Sequence, residues 1–357
     1  MPHTLREKEW VESAPPSWRV RGVFCFLELT KVGLEMRRCL QKRPARYLAG
    51  PEQRRRWPIF CVPLLLVLIL LTLAGVSFSA RDVTDQTGRH VSIPEHPERL
   101  ISLAPSITET LYALGLADRV VGDTDYCEYP PEAKKKPHVG PILNPSLEKI
   151  VTLKPDLVLG SPEANRIETA DRLARLGIPL YGVTAHTVDE TLHSIEDLGQ
   201  VLGRGVEARA LVQSLRQRIE GVERRVAGRG RPKVLFVVWY RPLTTVGART
   251  FIGDVIRRAG GASISEDLGG EWPRLSLEEA LHRDPDVILF PRSESFAPQL
   301  EEFQRLPGWR DLRAVRNRRM YFVSDAIIRA SPRLVDALEE VARALHPPEG
   351  APQEAER

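Results

Sequence analysis

Two glutamates, Glu148 and Glu278, stand at equivalent places in a segment that occurs twice in this chain. Each copy begins Ser-Leu-Glu, continues as a short amphipathic stretch, and ends with Pro-Asp and an apolar strand; the second copy starts 130 residues after the first. A carboxylate in the first turn of a helix is favoured by the helix dipole. Matched carboxylates could also pair with cationic groups of a partner that meets both copies. The repeat therefore predicts two similar lobes, a ligand held between them and a partner that contacts both.

The elements around this repeat predict an α/β fold in each half of the chain. Residues 100–122 have the strand, helix and strand spacing of a βαβ unit. Between the halves, residues 206–228 carry apolar side chains at helical spacing. These side chains are Leu211, Leu215, Ile219, Val222 and Val226. We predict two Rossmann-like α/β lobes joined by a single long connector helix.

The same reading divides the chain into six parts. They are a basic N-terminal extension (1–56), a signal peptide or membrane anchor (57–80), an N-terminal α/β lobe (81–205), the connector helix (206–228), a C-terminal α/β lobe (229–346) and a disordered tail (347–357).

The N-terminal part of the chain predicts an export or anchor segment. Residues 1–56 carry 13 basic and 6 acidic side chains, whereas residues 57–80 carry neither kind and are mostly aliphatic. Three arginines directly precede the apolar stretch, which orients such a segment with its N-terminus in the cytoplasm. Its length fits both a cleaved signal peptide and a retained membrane anchor, and Met36 offers a second start for the chain. In either form, the body from residue 81 is expected in the periplasm or on the extracytoplasmic face of the membrane.

Composition and motifs argue against several other functions. The body has a net charge near neutral, which argues against nucleic-acid binding. We find no Gly-x-Ser-x-Gly, phosphate-binding glycine loop or dinucleotide fingerprint, so we predict no enzyme and no catalytic residue, although Asp125 and Glu271 could in principle form an acid–base pair. The histidines show no metal-ligand spacing, and His138 is expected to be a solvated loop residue. Cys127 is the body's one cysteine, so we predict no intramolecular disulfide. It could ligate a metal, but no second soft ligand stands near it, so we expect a small residue of the pocket wall, with no metal site and no required cofactor.

Two helix starts have the pattern of a capping box, in which Ser or Thr caps the helix and Glu reaches back to the cap. The first is Ser106-Ile-Thr-Glu109 and the second is Thr187-Val-Asp-Glu190. Both glutamates are therefore predicted to serve their own helix.

A set of short motifs between residues 81 and 345 occurs in combination with the long connector. The motifs are Arg99-Leu-Ile-Ser-Leu-Ala-Pro-Ser-Ile-Thr-Glu109, the Tyr126…Tyr129-Pro-Pro131 loop, Asn144-Pro-Ser-Leu-Glu148, Lys154-Pro-Asp-Leu-Val158 and Ala330-Ser-Pro-Arg333. This set resembles the substrate-binding proteins of ABC importers for cobalamin, haem and ferric siderophores, and the cobalamin-binding members most of all. The resemblance implies a monomeric body with two α/β lobes and a rigid helix between them. It also implies a metal chelate bound in the cleft and delivered to a permease dimer.

The resemblance also implies roles for particular residues. The ligand-binding residues would be Tyr126, Trp239, Tyr240, Trp272, Asp325 and Arg329, and the transporter-docking residues would be Glu148 and Glu278. Structural alternatives stay open for some of them. Tyr126 could pack on its own lobe, and Trp272 could be a buried structural residue. Asp325 and Arg329 could form a plain surface ion pair.

The ligand expected from this set is cobalamin or another corrinoid. Most ferric siderophores are anionic and would favour several convergent arginines, whereas Asp325 and the aromatic residues favour a bulky, nearly neutral corrinoid. Haem would want an axial tyrosine or histidine, and Tyr126 could serve. The loop at Pro141-Ile-Leu143 lacks a tryptophan of the family, and Ala326 replaces a bulky residue, so haem and siderophores remain alternatives. A membrane-anchored enzyme or sensor is a more distant one.

Overall fold

A computed structural model describes residues 80–292 and 300–348. The predicted extension (1–56), almost all of the predicted export or anchor segment (57–80) and most of the predicted tail (347–357) lie outside the described residues. None of the described helices is both long enough and apolar enough to cross a membrane.

The first lobe contains a hairpin and a four-stranded parallel sheet. Its elements are β1 (Ala80–Thr84), β2 (His90–Pro94), β3 (Leu100–Ser102), α1 (Pro105–Ala113), β4 (Val120–Gly122), α2 (Leu147–Thr152), β5 (Leu157–Gly160), α3 (Ile167–Arg175), β6 (Leu180–Gly182) and α4 (Val188–Val201). The hairpin is antiparallel, and the sheet has the order β4-β3-β5-β6 with all pairs parallel. Its strands are short and almost wholly buried, as expected when helices cover both faces of a parallel sheet.

The connector and the second lobe follow. Their elements are α5 (Gly205–Val226), β7 (Lys233–Phe236), β8 (Trp239–Tyr240), β9 (Leu243–Thr244), α6 (Phe251–Arg258), β10 (Ala262–Ser263), α7 (Leu277–Arg283), β11 (Val287–Pro291), α8 (Leu300–Phe303), α9 (Arg313–Arg316), β12 (Met320–Val323) and α10 (Leu334–Leu345). The second parallel sheet has the order β10-β7-β11-β12. In chain order this is the same arrangement as in the first sheet, so the two lobes share one topology and the predicted two-lobed α/β fold is confirmed.

The repeated segment adopts the same local structure in both lobes. Ser146 accepts a hydrogen bond from a backbone N–H of α2, and Ser276 does the same for α7. Just after these helices, Lys154 and Asp284 both have positive φ, at 46° and 51°. Further on, the Asp156 carboxylate accepts a hydrogen bond from the N–H of Arg99, just before β3, and Asp286 makes the corresponding contact at the start of β7. Ser-Leu-Glu and Pro-Asp thus fix one helix–strand unit twice.

The connector α5 buries one stripe of small and aliphatic side chains. They are Ala208, Val212, Leu215, Ile219 and Val222. Their spacing of three and four residues keeps them on one helix face, which packs against α4 and α10. The prediction is confirmed at Leu215, Ile219 and Val222, whereas Leu211 and Val226 are only partly buried at the margin of the stripe. The helix itself begins one residue earlier and ends two residues earlier than predicted.

A buried ion-pair cluster joins the second lobe to the start of α4. Asp254 of α6 is 7% exposed, and its Oδ2 accepts hydrogen bonds from the Val188 N–H and from Arg258 Nε, both at 3.0 Å. Arg258 also pairs with Asp189 and, at 2.9 Å, with Glu223 of the connector. Burial raises the pKa of Asp254, but the Val188 N–H and the arginines outweigh this effect and hold the pKa below its ordinary value. The carboxylate is therefore ionised and binds the two lobes and the connector together.

We expect Arg258→Met to lower the free energy of unfolding by about 2–3 kcal/mol, because the buried Asp254 carboxylate keeps only the Val188 N–H and the exposed Arg257 as partners. Arg257→Met is the matched control, since Arg257 also pairs with Asp254 but is 57% exposed; it should cost less than about 1 kcal/mol. Denaturant unfolding of both variants measures the difference. Equal losses would show that the cluster does not stabilise the contact between the lobes.

Candidate functional site

The carboxyl ends of the strands in the two parallel sheets face each other across a cleft. Two contacts between the lobes establish this. Tyr129, in the loop after β4, lies under Arg333, after β12, with 3.9 Å from the guanidinium carbon to the ring centroid. His186, after β6, has its Nδ1 3.3 Å from a carboxylate oxygen of Glu271, after β10. Ligands of open α/β sheets bind outside the carboxyl ends of the strands, so this cleft is the candidate site.

Three of the aromatic residues predicted from the sequence lie in the connections that leave these edges and are exposed. Tyr126 is 54% exposed in the loop after β4, and Trp272 is 48% exposed in the equivalent loop of the second lobe, after β10. Trp239 is 46% exposed directly after β7, and its Nε1 donates a hydrogen bond to the Arg241 carbonyl at 2.8 Å. Trp272 is therefore not a buried structural residue, and about half of the Tyr126 side chain is open to solvent.

Tyr240 differs from these three because its ring packs into the second lobe. Its centroid lies 5.9 Å from that of Phe303, which is in the buried core, and the Arg241 guanidinium carbon lies 5.6 Å from the Tyr240 centroid. Tyr240 and Trp309 also line a cavity of about 400 Å³ within this lobe. The Tyr240 ring therefore belongs to the packing of the second lobe, next to the exposed Trp239.

Contrary to the prediction from the sequence, Glu109 does not cap its own helix. Pro105 occupies the first position of α1, with Ala104 before it and no side-chain cap, so Ser106 already lies within the first turn. The Glu109 side chain instead reaches the second lobe, where it accepts hydrogen bonds from Ser331 Oγ at 2.5 Å and from Arg333 at 3.0 Å. Burial raises the pKa of Glu109, and the Ser331 and Arg333 contacts oppose this effect.

Asp325 lies between two arginines at the same end of the cleft. Its Oδ1 accepts a hydrogen bond from Arg333 at 2.9 Å, and its Oδ2 is 3.7 Å from Arg329. The Arg329 side chain is only 20% exposed and that of Asp325 is 37% exposed. The pair is therefore part of a half-buried network and not a plain surface ion pair.

The opposite end of the cleft carries an exposed polar cluster. His186 lies between Glu271 and, at 3.7 Å, Glu163 of the loop after β5. Glu163 also accepts hydrogen bonds from Ser161 and Thr184. The carboxylate of Glu271 thus meets the first lobe immediately beside Trp272. The second predicted capping box is confirmed at its cap, because Thr187 accepts from the Glu190 N–H; the Glu190 carboxylate binds the His186 N–H instead of returning to Thr187.

A buried polar layer lies under the Tyr126 loop. Asp123 is fully buried, and its Oδ1 lies 2.7 Å from His138 Nδ1. Its second oxygen has no protein partner, and burial raises the pKa of Asp123 to about 6. The predicted solvated loop residue His138 is thus held by a buried carboxylate, while its side chain stays 35% exposed. Cys127 is 2% exposed and its sulfur contacts Thr108 at 3.1 Å, so it lies beneath the wall of the cleft and not on it.

Glu148 and Glu278 are exposed in the first turns of α2 and α7. Each of these helices leads into a parallel strand, and a crossover helix runs opposite to the strands that it connects. Both helices therefore begin near the carboxyl edges of their sheets, one on each lobe. Within residues 80–292 and 300–348, no three His, Cys, Asp or Glu side chains lie together in a way that could hold a metal ion.

Comparisons with known proteins agree with this architecture. Residues 100–326 match a family model described as periplasmic binding protein. The uncharacterized ABC transporter substrate-binding lipoprotein YvrC of Bacillus subtilis (strain 168) is 31% identical over 274 residues, which cover 74% of this chain and 85% of that protein. The vitamin B12-binding protein of Yersinia pestis (strain Pestoides F) is 34% identical over 207 residues, which cover 58% of this chain and 74% of that protein.

A solved structure extends the likeness to three dimensions. The periplasmic heme-binding protein RhuT from Roseiflexus sp. RS-1, in apo form, matches with a TM-score of 0.63 at 30% identity, over 70% of this chain and 97% of that one. The resemblance inferred from the motifs is thereby confirmed.

The buried Asp123 carboxyl gives the protein a predictable pH dependence. Its folded pKa, about 6, lies above the ordinary value of 3.8, so the folded state holds this proton more tightly than the unfolded state does. Relative to Asp123→Asn, the wild type should lose stability as the pH rises from about 4 to about 6, by on the order of 2 kcal/mol. Denaturant unfolding across this range measures the loss, with the exposed neighbour variant Asp125→Asn as reference. A difference between wild type and Asp123→Asn that is constant with pH would contradict the prediction.

Proposed function

This chain belongs to the periplasmic binding protein family, and from that premise we propose that it captures cobalamin or another corrinoid in the cleft between its lobes. Family membership confirms the substrate-binding role in ABC import and the periplasmic location that the sequence predicted. The ligand, the residues that hold it and the contact with the permease are the proposed part.

The observation that carries the proposal is the set of exposed aromatic faces on loops from both lobes. Tyr126 and Trp272 occupy equivalent loops, and Trp239 adds a third face from the second lobe. About half of each side chain is exposed, although aromatic side chains of this size are among the largest hydrophobic surfaces that a protein can bury. A broad, flat ligand that enters the cleft would cover these faces from both sides. Pockets for organic ligands typically combine such apolar walls with a few placed polar groups.

The polar groups of the cleft have both signs of charge, which favours a nearly neutral ligand with many amides. Asp325 and Arg329 offer an acceptor and a donor at one end, and Glu271 with His186 offers the same combination at the other. Amide side chains of a corrin could pair with both kinds. A strongly anionic siderophore would gain from the arginine but would be repelled by the carboxylates.

The two departures from the family now have a structural meaning. Ala326 is fully buried, so a small residue there affects the packing behind Asp325 more than the ligand surface. Leu143 is 60% exposed in the loop that lacks the family's tryptophan, so an apolar surface remains at that edge. The vitamin B12-binding protein of Yersinia pestis, 34% identical, further supports a corrinoid.

Haem is the second candidate, because one observation favours it specifically. The Tyr126 phenol is exposed at the cleft edge, and a tyrosine can act as an axial ligand to haem iron. The haem-binding relative from Roseiflexus supports the same alternative. For either ligand, we infer that the chain binds the ligand and releases it unchanged, and that the chain needs no cofactor of its own.

The test for ligand identity is a visible absorption spectrum of the purified protein after incubation with cyanocobalamin, haemin or a ferric siderophore. Corrinoid retention at one site per chain in isothermal titration supports the proposal, and unaltered ligand after release supports a binder over an enzyme. Retention of haemin alone, with a spectrum that Tyr126→Phe changes, would assign haem instead.

Trp272→Ala should weaken cyanocobalamin binding by roughly 1–3 kcal/mol, because the variant removes a large apolar face. The matched control is Leu176→Ala. Leu176 is likewise about half exposed, at 52%, but it ends α3 at the opposite edge of the first sheet. Isothermal titration should show a loss for Trp272→Ala and none for the control. Equal affinities for wild type and Trp272→Ala would remove Trp272 from the site.

We also propose that Glu148 and Glu278 dock the loaded protein onto the two halves of a permease dimer. Their places on equivalent helices suit a partner with twofold symmetry. Charge reversal in Glu148→Arg with Glu278→Arg should cut cyanocobalamin uptake through the importer by about tenfold or more, while affinity in solution stays unchanged. The control pair Glu168→Arg with Glu301→Arg reverses exposed first-turn glutamates on other helices, again one per lobe. If the Glu148→Arg, Glu278→Arg variant supported normal uptake but had reduced thermal stability, only the helix-dipole role of these two glutamates would remain.

A further inference from the structure

Arg333 makes contacts with both lobes at one end of the cleft. We define the Arg333 cluster as the five residues that meet there, which are Glu109, Tyr129, Asp325, Ser331 and Arg333. The Arg333 guanidinium donates hydrogen bonds to Glu109 at 3.0 Å and to Asp325 at 2.9 Å. Its carbon atom lies 3.9 Å from the centroid of the Tyr129 ring. The side chain of Arg333 is 19% exposed and that of Glu109 is 3% exposed. One side chain thus fixes a helix of the first lobe and a loop from each lobe.

The cluster is built on rigid elements. Glu109 projects from α1, and Arg333 is the residue immediately before α10. Ser331 Oγ donates to Glu109 and also accepts from the Arg333 N–H at 3.2 Å, which holds the start of α10 against the carboxylate. Arg333 is therefore held both through its backbone N–H and through its guanidinium.

The two loops that Arg333 holds also carry proposed ligand-binding residues. Tyr129 lies three residues after Tyr126 in the loop after β4. One carboxylate oxygen of Asp325 accepts a hydrogen bond from Arg333. This bond orients the other carboxylate oxygen and the Arg329 side chain near it. Each of these side chains would otherwise sample several rotamers in the unliganded cleft. Ordering such side chains at the moment of binding reduces affinity.

We propose that Arg333 is a positioning residue for ligand capture. It presets the loops of both lobes, so that the aromatic and charged groups of the cleft are already ordered when the ligand arrives. Its guanidinium fork suits this role better than an ammonium group, because one planar group can bind two carboxylates and stack on a ring at the same time. The inference rests on the proposed function for its binding consequence, but its structural part can be tested in the ligand-free protein.

The first measurement is hydrogen–deuterium exchange of the full ligand-free chain, followed by mass spectrometry. Arg333→Met should raise amide exchange about fivefold or more in residues 123–131 and 324–331 together, because both loops lose their common anchor. Arg218→Met is the matched control: Arg218 also binds two carboxylates, Asp336 and Glu339, but away from these loops. Exchange in the two loops should stay at the wild-type rate in this control.

The second measurement is stopped-flow binding of cyanocobalamin and of haemin, monitored by tryptophan fluorescence. Whichever probe the wild type binds should dissociate about tenfold faster from Arg333→Met, with a smaller change in association, because the lost order must be restored in each complex. Arg333→Lys should recover only part of the loss. Arg218→Met should bind the probe like the wild type. This control separates the effect of Arg333 on binding from the effect of a general loss of stability.

Glu109→Gln tests the connection between the lobes if Arg333→Met fails to fold. It should raise exchange in residues 123–131 and speed dissociation in the same direction as Arg333→Met. Wild-type exchange in residues 123–131 in the folded variants would overturn the proposal, and so would faster exchange in the second-lobe loop alone. If the wild type binds neither probe, the proposed ligand is wrong, and the exchange result still decides the role of Arg333.

Discussion

Two buried carboxylates that cross between the lobes are the interactions on which the rest of this structure depends. Glu109 projects from α1, the first helix of the first sheet, and meets Ser331 and Arg333 just before α10, the last helix of the second lobe. Asp254 projects from α6, the corresponding helix of the second lobe, and accepts from the Val188 N–H at the start of α4, the corresponding last helix of the first lobe. Each lobe therefore places a negative charge beside the N-terminus of the other's last helix, where unpaired N–H groups and the helix dipole favour it. Because a buried carboxylate without partners is strongly unfavourable, each crossing also fixes the distance between the lobes.

These crossings matter for the cleft because of parallel strand pairing. Parallel strands need a returning helix, so every loop that leaves the carboxyl edge of a sheet lies at the same side of its lobe. With identical strand orders in the two sheets, the crossings bring equivalent edges face to face. The loop after β4 then meets the loop after β12 at Tyr129 and Arg333, and the loop after β10 meets the loop after β6 at Glu271 and His186. The two ends of the cleft are thus related by approximate twofold symmetry. The connector helix maintains this arrangement because its buried stripe packs against the last helix of each lobe.

The features that the sequence predicted correctly depend on neighbours within a few residues. The repeated Ser-Leu-Glu and Pro-Asp segments follow from local caps, and the connector helix follows from its periodicity; the structure contains both. Glu109 is the instructive failure. A local capping pattern fits it well, but its partners are more than 220 residues away, and Pro105 already starts the helix. The buried state of Cys127 and the Asp123–His138 pair escaped for the same reason, since both depend on how the loop of residues 123–140 folds back on itself. Family resemblance located the exposed aromatic loops, whereas periodicity alone had no means to find them.

The two ends of the cleft share a topology but differ in chemistry, and this difference bears on how a ligand would lie. At one end a permanently charged guanidinium is enclosed by Glu109, Asp325 and the Tyr129 ring. At the other end His186 is 45% exposed between carboxylates of both lobes, so water reaches it freely. A symmetric scaffold with two identical ends would accept a flat ligand in two orientations of equal energy. One buried, ordered end and one exposed end would make these orientations unequal. The residues that break the symmetry would then select a single pose of the proposed ligand, while the symmetric scaffold would offer matching surfaces to the proposed twofold partner.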